Sequence, residues 1–252
     1  MSELLAEVLL EARDITVRFG GLTAVDSVSA TFRAGELVGI IGPNGAGKTT
    51  FFNAISGVVA PTSGQLLAAG RNLSGQGPHR YAAAGIARTF QTPRVFPDMA
   101  VAANIDFGLQ FAGRQRKGCW HLRDAQSILE LIGLASLADL PAGTITPSQQ
   151  RLLEIGMALA TRPRLLLLDE VAAGLTGAEV EAMAQLIRRM RDELGLAVVW
   201  IEHAVTTLMR HVERVIVMHQ GRVIADGPPF EVVRNAEVIE AYLGDEMVEV
   251  AG

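Results

Sequence analysis

The chain has 252 residues, which at roughly 150 residues per domain means one large domain or a domain carrying an insertion. Apolar residues make up 49% and charged residues 19%, which excludes a disordered or collagen-like chain. With 22 basic against 27 acidic residues the net charge is −5, so no nucleic-acid partner is expected.

The N-terminus, MSELLAEVLL, is acidic and is not a secretory signal. Residues Val8 to Phe32 alternate as short strands around a turn at Gly20-Gly21. Glu36 to Ile41 is a short apolar run that stops at Gly42, as a buried parallel strand does. Helix character follows from Thr49 to Ser56, with Phe52 and Ile55 on one face, then a turn at Pro61 to Gly64 and a strand from Gln65 to Ala69. Ile86 to Phe90 is the next strand. From Thr92 to Thr146 strand signals give way to helical pattern, with Leu122, Ile128, Leu129 and Ile132 as apolar positions. That stretch holds the single cysteine, Cys119, which fits a reducing compartment. RLLLLDE (Arg164 to Glu170) is a buried strand ending in two carboxylates. A helix from Ala178 to Leu194, striped by Val180, Met183, Ile187, Met190 and Leu194, leads to a strand from Leu196 to Ile201. A helix after His203, a strand from Arg214 to Met218, a hairpin at Gln220-Gly221 and short helices close the chain. Mean hydropathy is +0.28, yet no apolar run reaches the ~18 residues of a membrane span.

Gly42-Pro43-Asn44-Gly45-Ala46-Gly47-Lys48-Thr49 matches G-x-x-x-x-G-K-[ST], between a strand and a helix as the motif requires. Its glycines let backbone N–H groups curl around phosphate oxygens, and the following helix N-terminus, with Thr50 in its first turn, favours an anion. Lys48 is placed for the β- and γ-phosphates and the Thr49 hydroxyl for Mg²⁺. Asp169 ends a parallel strand and can hold the Mg²⁺ shell, while Glu170 can orient and deprotonate a water. Two carboxylates closing an apolar strand are costly unless a cation or a reaction needs them. Gln91 and His203 also stand at strand ends, where open α/β sheets place ligand contacts.

The P-loop, Gln91, Asp169-Glu170 and His203, in this order and spacing, resemble the ATP-binding subunit of ABC transporters over nearly the whole chain. FGGLTAVDSVS (19–29), GIARTFQTPRVFPDMAVAANI (85–105), AAGL (172–175), IEH (201–203) and EAYLG (240–244) resemble its branched-chain amino acid uptake branch. The resemblance implies an α/β fold: a P-loop, RecA-like parallel-sheet core with an antiparallel β subdomain and an inserted helical subdomain. The implied division is residues 1–91 and 148–252 for the ATP-binding core and 92–147 for the helical part. It further implies that Phe19 stacks on adenine, that Gln91 senses Mg²⁺ and the γ-phosphate, and that His203 holds the γ-phosphate and water. Two membrane permease subunits, a second ATP-binding subunit and a peripheral place at the cytoplasmic face of the inner membrane are implied as well. A basic patch, Arg114, Arg116, Lys117, His121 and Arg123, reads first as a solvated loop and second as a face toward lipid headgroups.

One motif departs from the family. Where Leu-Ser-Gly-Gly-Gln should stand, the chain has Ile145-Thr146-Pro147-Ser148-Gln149. Thr146 as N-cap, Pro147 at N1 and Gln149 at N3 spell a capping box. Thr146, Ser148 and Gln149 remain the candidate contacts to nucleotide, but Pro147 offers no N–H. Val171 replaces the usual proline after the carboxylates, and Thr176 stands in place of Asp or Asn. Two readings follow: an ATP-hydrolysing importer subunit, or a nucleotide-binding scaffold with little hydrolysis of its own.

Overall fold

The computed structural model describes residues 6–111, 122–202 and 205–242. His203, Cys119, Arg114, Arg116, Lys117 and His121 lie outside the described residues, as does EAYLG beyond position 242. Strands β1 (Val8–Phe19) and β2 (Leu22–Arg33) form an antiparallel pair about the expected turn, where Gly20 has φ 57°. With β4 (Ser63–Ala68) and β5 (Arg71–Asn72) they make a four-stranded sheet in the order β2-β1-β4-β5.

The second sheet is built from β3 (Leu37–Ile41), β6 (Ile86–Arg88), β7 (Leu165–Asp169), β8 (Ala197–Ile201), β9 (Arg214–His219) and β10 (Arg222–Gly227). Its order is β10-β9-β3-β8-β7-β6, parallel throughout except for the β9–β10 hairpin. LVGII, LLLLD and AVVWI are buried at every position, the pattern of strands covered on both faces. Because side chains alternate along a strand, the sheet divides the core in two. Val38, Ile40, Leu167, Val199 and Ile216 pack toward the antiparallel sheet and α1 (Lys48–Ile55). Leu37, Ile41, Leu166, Trp200 and Val217 pack toward the helices on the other face.

Those helices include α3 (Val101–Phe111), α4 (Ala125–Leu131), α5 (Pro147–Ala160), α6 (Gly177–Leu194), α7 (Val205–His211), α8 (Pro229–Val232) and α9 (Ala236–Ala241), while α2 (Pro78–Ala84), before β6, packs Tyr81 on the antiparallel-sheet side. α3 and α4 pack on each other and on α5, and Ile128, Leu129 and Ile132 are buried there as the helical pattern requires. Met183, Ile187, Met190 and Leu194 of α6 are buried as the stripe predicts, while Val180 at its start is only partly so. No described helix is long and apolar enough to cross a membrane.

Two elements differ from the sequence expectation. The strand at Ile86 stops at Arg88, because the N–H of Phe90 donates to the Glu154 carboxylate instead of a neighbouring strand. Helix α2 was not expected: it spans seven residues and buries Tyr81 alone, too little for an apolar stripe. Its ends nonetheless carry signals, Pro78 at N1 and a left-handed Gly85 at the C-cap.

Candidate functional site

The parallel strands deliver their carboxyl ends to one edge of the sheet. The loop 42–47 leaves β3 and enters α1, Asp169-Glu170 end β7, and Glu202 follows β8. Two glycines are sterically required in the loop. At Gly42, φ 153°, a Cβ would stand 2.1 Å from the Met218 carbonyl oxygen, and at Gly47, φ 95°, 2.4 Å from that of Ala24. Gly47 is also the N-cap of α1, which has no side-chain cap, so its first N–H groups are left for another acceptor. The turn at Gln220-Gly221 braces this loop, with the Gly221 N–H donating to the Ala46 carbonyl at 3.0 Å.

Lys48 is buried, and its ammonium donates to the carbonyls of Gly42 at 2.6 Å and Pro43 at 3.1 Å. Burial lowers its pKa, and the negative charge of Glu170 works against that shift. A cavity of about 620 Å³ opens here, lined by residues 44–50, Leu22, Thr23, Ala24, Glu170, Gln220 and Gly221. Phe19 pairs with Leu22, which lines this cavity, at the end of the β1–β2 ladder and is 52% exposed.

Glu170 is buried and sits in the left-handed region at φ 50°, uncommon for a non-glycine residue. Its N–H donates to the Ile201 carbonyl at 3.0 Å, and its own carbonyl accepts from Arg151 Nη1 at 2.9 Å. These bonds turn its side chain into the cavity, where Oε2 accepts from Gln91 Nε2 at 2.7 Å. Asp169 accepts from Arg88 Nη2 at 2.9 Å through Oδ2, and its N–H donates to the Thr89 hydroxyl at 3.2 Å. Arg88 is anchored further by Asn53 Oδ1 at 2.7 Å and Ser56 Oγ at 2.8 Å, so the strand end is tied to α1.

The structure thus brings Lys48, Thr49, Glu170 and, through Glu170, Gln91 to one place. The donor set fits a phosphate chain: two positions with no room for a Cβ, an uncapped helix start and a buried ammonium. Thr49 is exposed at the cavity and Asp169 lies next to Glu170, both oxygen donors of the kind Mg²⁺ takes.

Thr146, Ser148 and Gln149 stand apart from this cavity. The capping box at α5 is formed as the residues spell it: Gln149 N–H donates to Thr146 Oγ1 at 3.3 Å, and Thr146 N–H donates to Gln149 Oε1 at 2.9 Å. Thr146 Oγ1 also shares a hydrogen bond with Ser148 Oγ at 3.0 Å. Ser148 and Gln149 line a separate cavity of about 450 Å³ against α6. Thr176 caps α6 in the same way, with Glu179 as its N3 partner.

Three charged residues at the site escaped the sequence reading. Arg88 is the partner of Asp169. Glu202 is buried, accepts from the Ala172 N–H at 2.7 Å and from Trp200 Nε1 at 3.0 Å, and burial raises its pKa. Glu154, also buried, accepts from the N–H groups of Phe90 and Arg94, and burial pushes its carboxyl up to about 7. The available signal was a charge interrupting an apolar stripe, as in RLLEIGMALA.

Residues 25–173 match the ABC transporter family, and residues 222–248 match the family of branched-chain amino acid ATP-binding cassette transporters. The high-affinity branched-chain amino acid transport ATP-binding protein BraF of Pseudomonas aeruginosa is 37% identical over 250 residues, covering 94% of this chain and 98% of that protein. LivG of Escherichia coli, of the same description, is 35% identical over 255 residues, covering 96% and 100%. Among solved structures, the ADP conformation of an ATP-binding cassette of an ABC transporter aligns with a TM-score of 0.83 at 29% identity, over 95% of this chain and all of that one. The chain belongs to the ATP-binding subunits of ABC transporters, the ATPases coupled to transport, in the group of the branched-chain amino acid transport ATP-binding proteins.

Proposed function

We propose that this chain hydrolyses ATP to power an importer of branched-chain amino acids or related small polar solutes. In this reading it sits peripherally on the cytoplasmic face of the inner membrane, with two permease subunits and a second ATP-binding subunit, a paralogue. The observation that carries the reading is one cavity lined by both a glycine-cradled lysine and Glu170, whose carboxylate accepts from Gln91 at 2.7 Å. The names of BraF and LivG support the solute class.

The N–H groups of the 42–47 loop and Lys48 hold the phosphates, while Phe19 offers its ring to the base. Thr49, Asp169 and Gln91 supply oxygens to Mg²⁺, whose chemistry is to neutralise phosphate charge. Glu170 accepts the proton of the attacking water, held in place by Gln91 and by its own backbone bonds. His203 is assigned to the γ-phosphate by the family resemblance. In a dimer that closes on ATP, Thr146, Ser148 and Gln149 face the partner's nucleotide.

Glu170→Gln tests this directly. ATP affinity should stay within about twofold while turnover falls by about 100-fold or more, the range of a lost general base. Equal loss of affinity and turnover would refute the role. The second reading, a nucleotide-holding subunit with little turnover of its own, is favoured by the 145–149 segment, whose side chains are spent on their own helix cap. ATPase assays of the chain assembled with its partner ATPase separate the two: a turnover cut sharply by Glu170→Gln in this chain supports the first, and a turnover that the substitution leaves unchanged supports the second.

A further inference from the structure

Glu154 lies on α5, seven residues beyond Pro147, or about 10 Å along the helix. It is 6% exposed. Oε1 accepts from the Arg94 N–H at 3.0 Å, and both oxygens lie 3.3 Å from the Phe90 N–H. These two amides bracket Gln91. The Phe90 ring is held between guanidiniums, Arg88 at 4.7 Å and Arg94 at 3.8 Å from its centroid, so the backbone Glu154 grips is itself packed in place. One turn earlier on the same helix, Arg151 donates to the Glu170 carbonyl. A single helix therefore begins at the 145–149 segment, holds Glu170 by its carbonyl and holds the loop around Gln91 by the amides of Phe90 and Arg94.

We propose that Glu154 is a positioning residue that ties the helix carrying Thr146, Ser148 and Gln149 to the loop carrying Gln91. A shift of α5, driven by what its N-terminus touches in the partner subunit, is carried by a buried carboxylate and two amides to the glutamine that steadies Glu170. The proposal rests on the ATPase reading and adds a route by which one site informs the other. In its ionised form a carboxylate is acceptor-only and can take both N–H groups at once. Glutamine at this place presents one oxygen and a competing donor.

The test uses the full chain with Glu154→Gln, alone and combined with Gln91→Ala. Turnover should fall about tenfold with KM for ATP unchanged, the pattern of a group misplaced in the transition state alone. In the Gln91→Ala background the same substitution should cost less than about twofold, because a residue that acts through another is not additive with it. Amide hydrogen exchange at positions 90–94 should quicken in Glu154→Gln. Unchanged turnover, equal losses in both backgrounds, or unchanged exchange in a chain that binds ATP would each overturn the clamp. A wild-type chain that fails to bind ATP would instead overturn the functional reading beneath it. If Glu154→Gln does not fold, Glu154→Asp, one methylene too short to reach both amides, enters the same assays with the same outcomes.

Discussion

Two helix N-termini in this molecule answer the same physical problem in opposite ways. α1 starts at Gly47 in the left-handed region, without a side-chain cap, and leaves its first N–H groups to whatever anion enters the cavity. α5 starts at Thr146 in an extended conformation, has Pro147 at N1 and satisfies its donors with Thr146 and Gln149. The first is an anion site by omission. The second is closed on itself. Each helix also buries a charge whose ordinary pKa is displaced, a cation lowered at Lys48 and a carboxyl raised at Glu154. In the proposed function the contrast separates two abilities of the chain: binding phosphate, which falls to the 42–47 loop and α1, and serving a partner's site, which falls to α5.

Substitution at α1 should give the largest effect. Lys48→Ala removes the buried ammonium and should weaken ATP binding by at least about 100-fold in titration calorimetry. Unchanged affinity would break the comparison at its stronger end. Next is the pH dependence from α5. The Glu154 carboxyl titrates at about 7 in the folded chain against 4.5 unfolded, so between these values the folded state binds more protons. Stability should therefore fall as pH rises from about 4.5 to about 7, by at most on the order of 3 kcal/mol, and hold steady above. Glu154→Gln should flatten that slope in thermal melts; an unaltered slope would assign it elsewhere.

Opening α5 should have a smaller effect in the other direction. Pro147→Gly with Ser148→Gly restores the backbone N–H at 147, clears the side chain at 148 and should raise the ATPase of the isolated chain about tenfold, near 1.4 kcal/mol in barrier. A wild-type chain that already turns over at the rate of the glycine variant would remove the contrast. The smallest effect should come from Thr146→Ala, which takes away the cap alone. It should cost ~1 kcal/mol of stability, or roughly 2–4 °C in thermal midpoint, and leave the isolated chain's affinity for ATP at its own 42–49 loop untouched. A midpoint that does not move would mean the capping box adds nothing to α5.

Much of this was legible in the chain itself, for a definite reason. The glycine loop, the DE pair at the end of an apolar run and the box from Thr146 to Gln149 are local: each is set by backbone conformation or by bonds spanning a few residues. The unbroken apolar runs of β3, β7 and β8 and the α6 stripe are equally local, so the central strands and that helix stand where those patterns placed them. What tertiary structure alone decided are the partners. Arg88 meets Asp169 across 81 residues, Glu154 meets Phe90 across 64, and Glu202 meets Ala172 across 30. No propensity encodes such pairs, because a buried charge states only that it must be compensated, and which group compensates it depends on which strands and helices pack together.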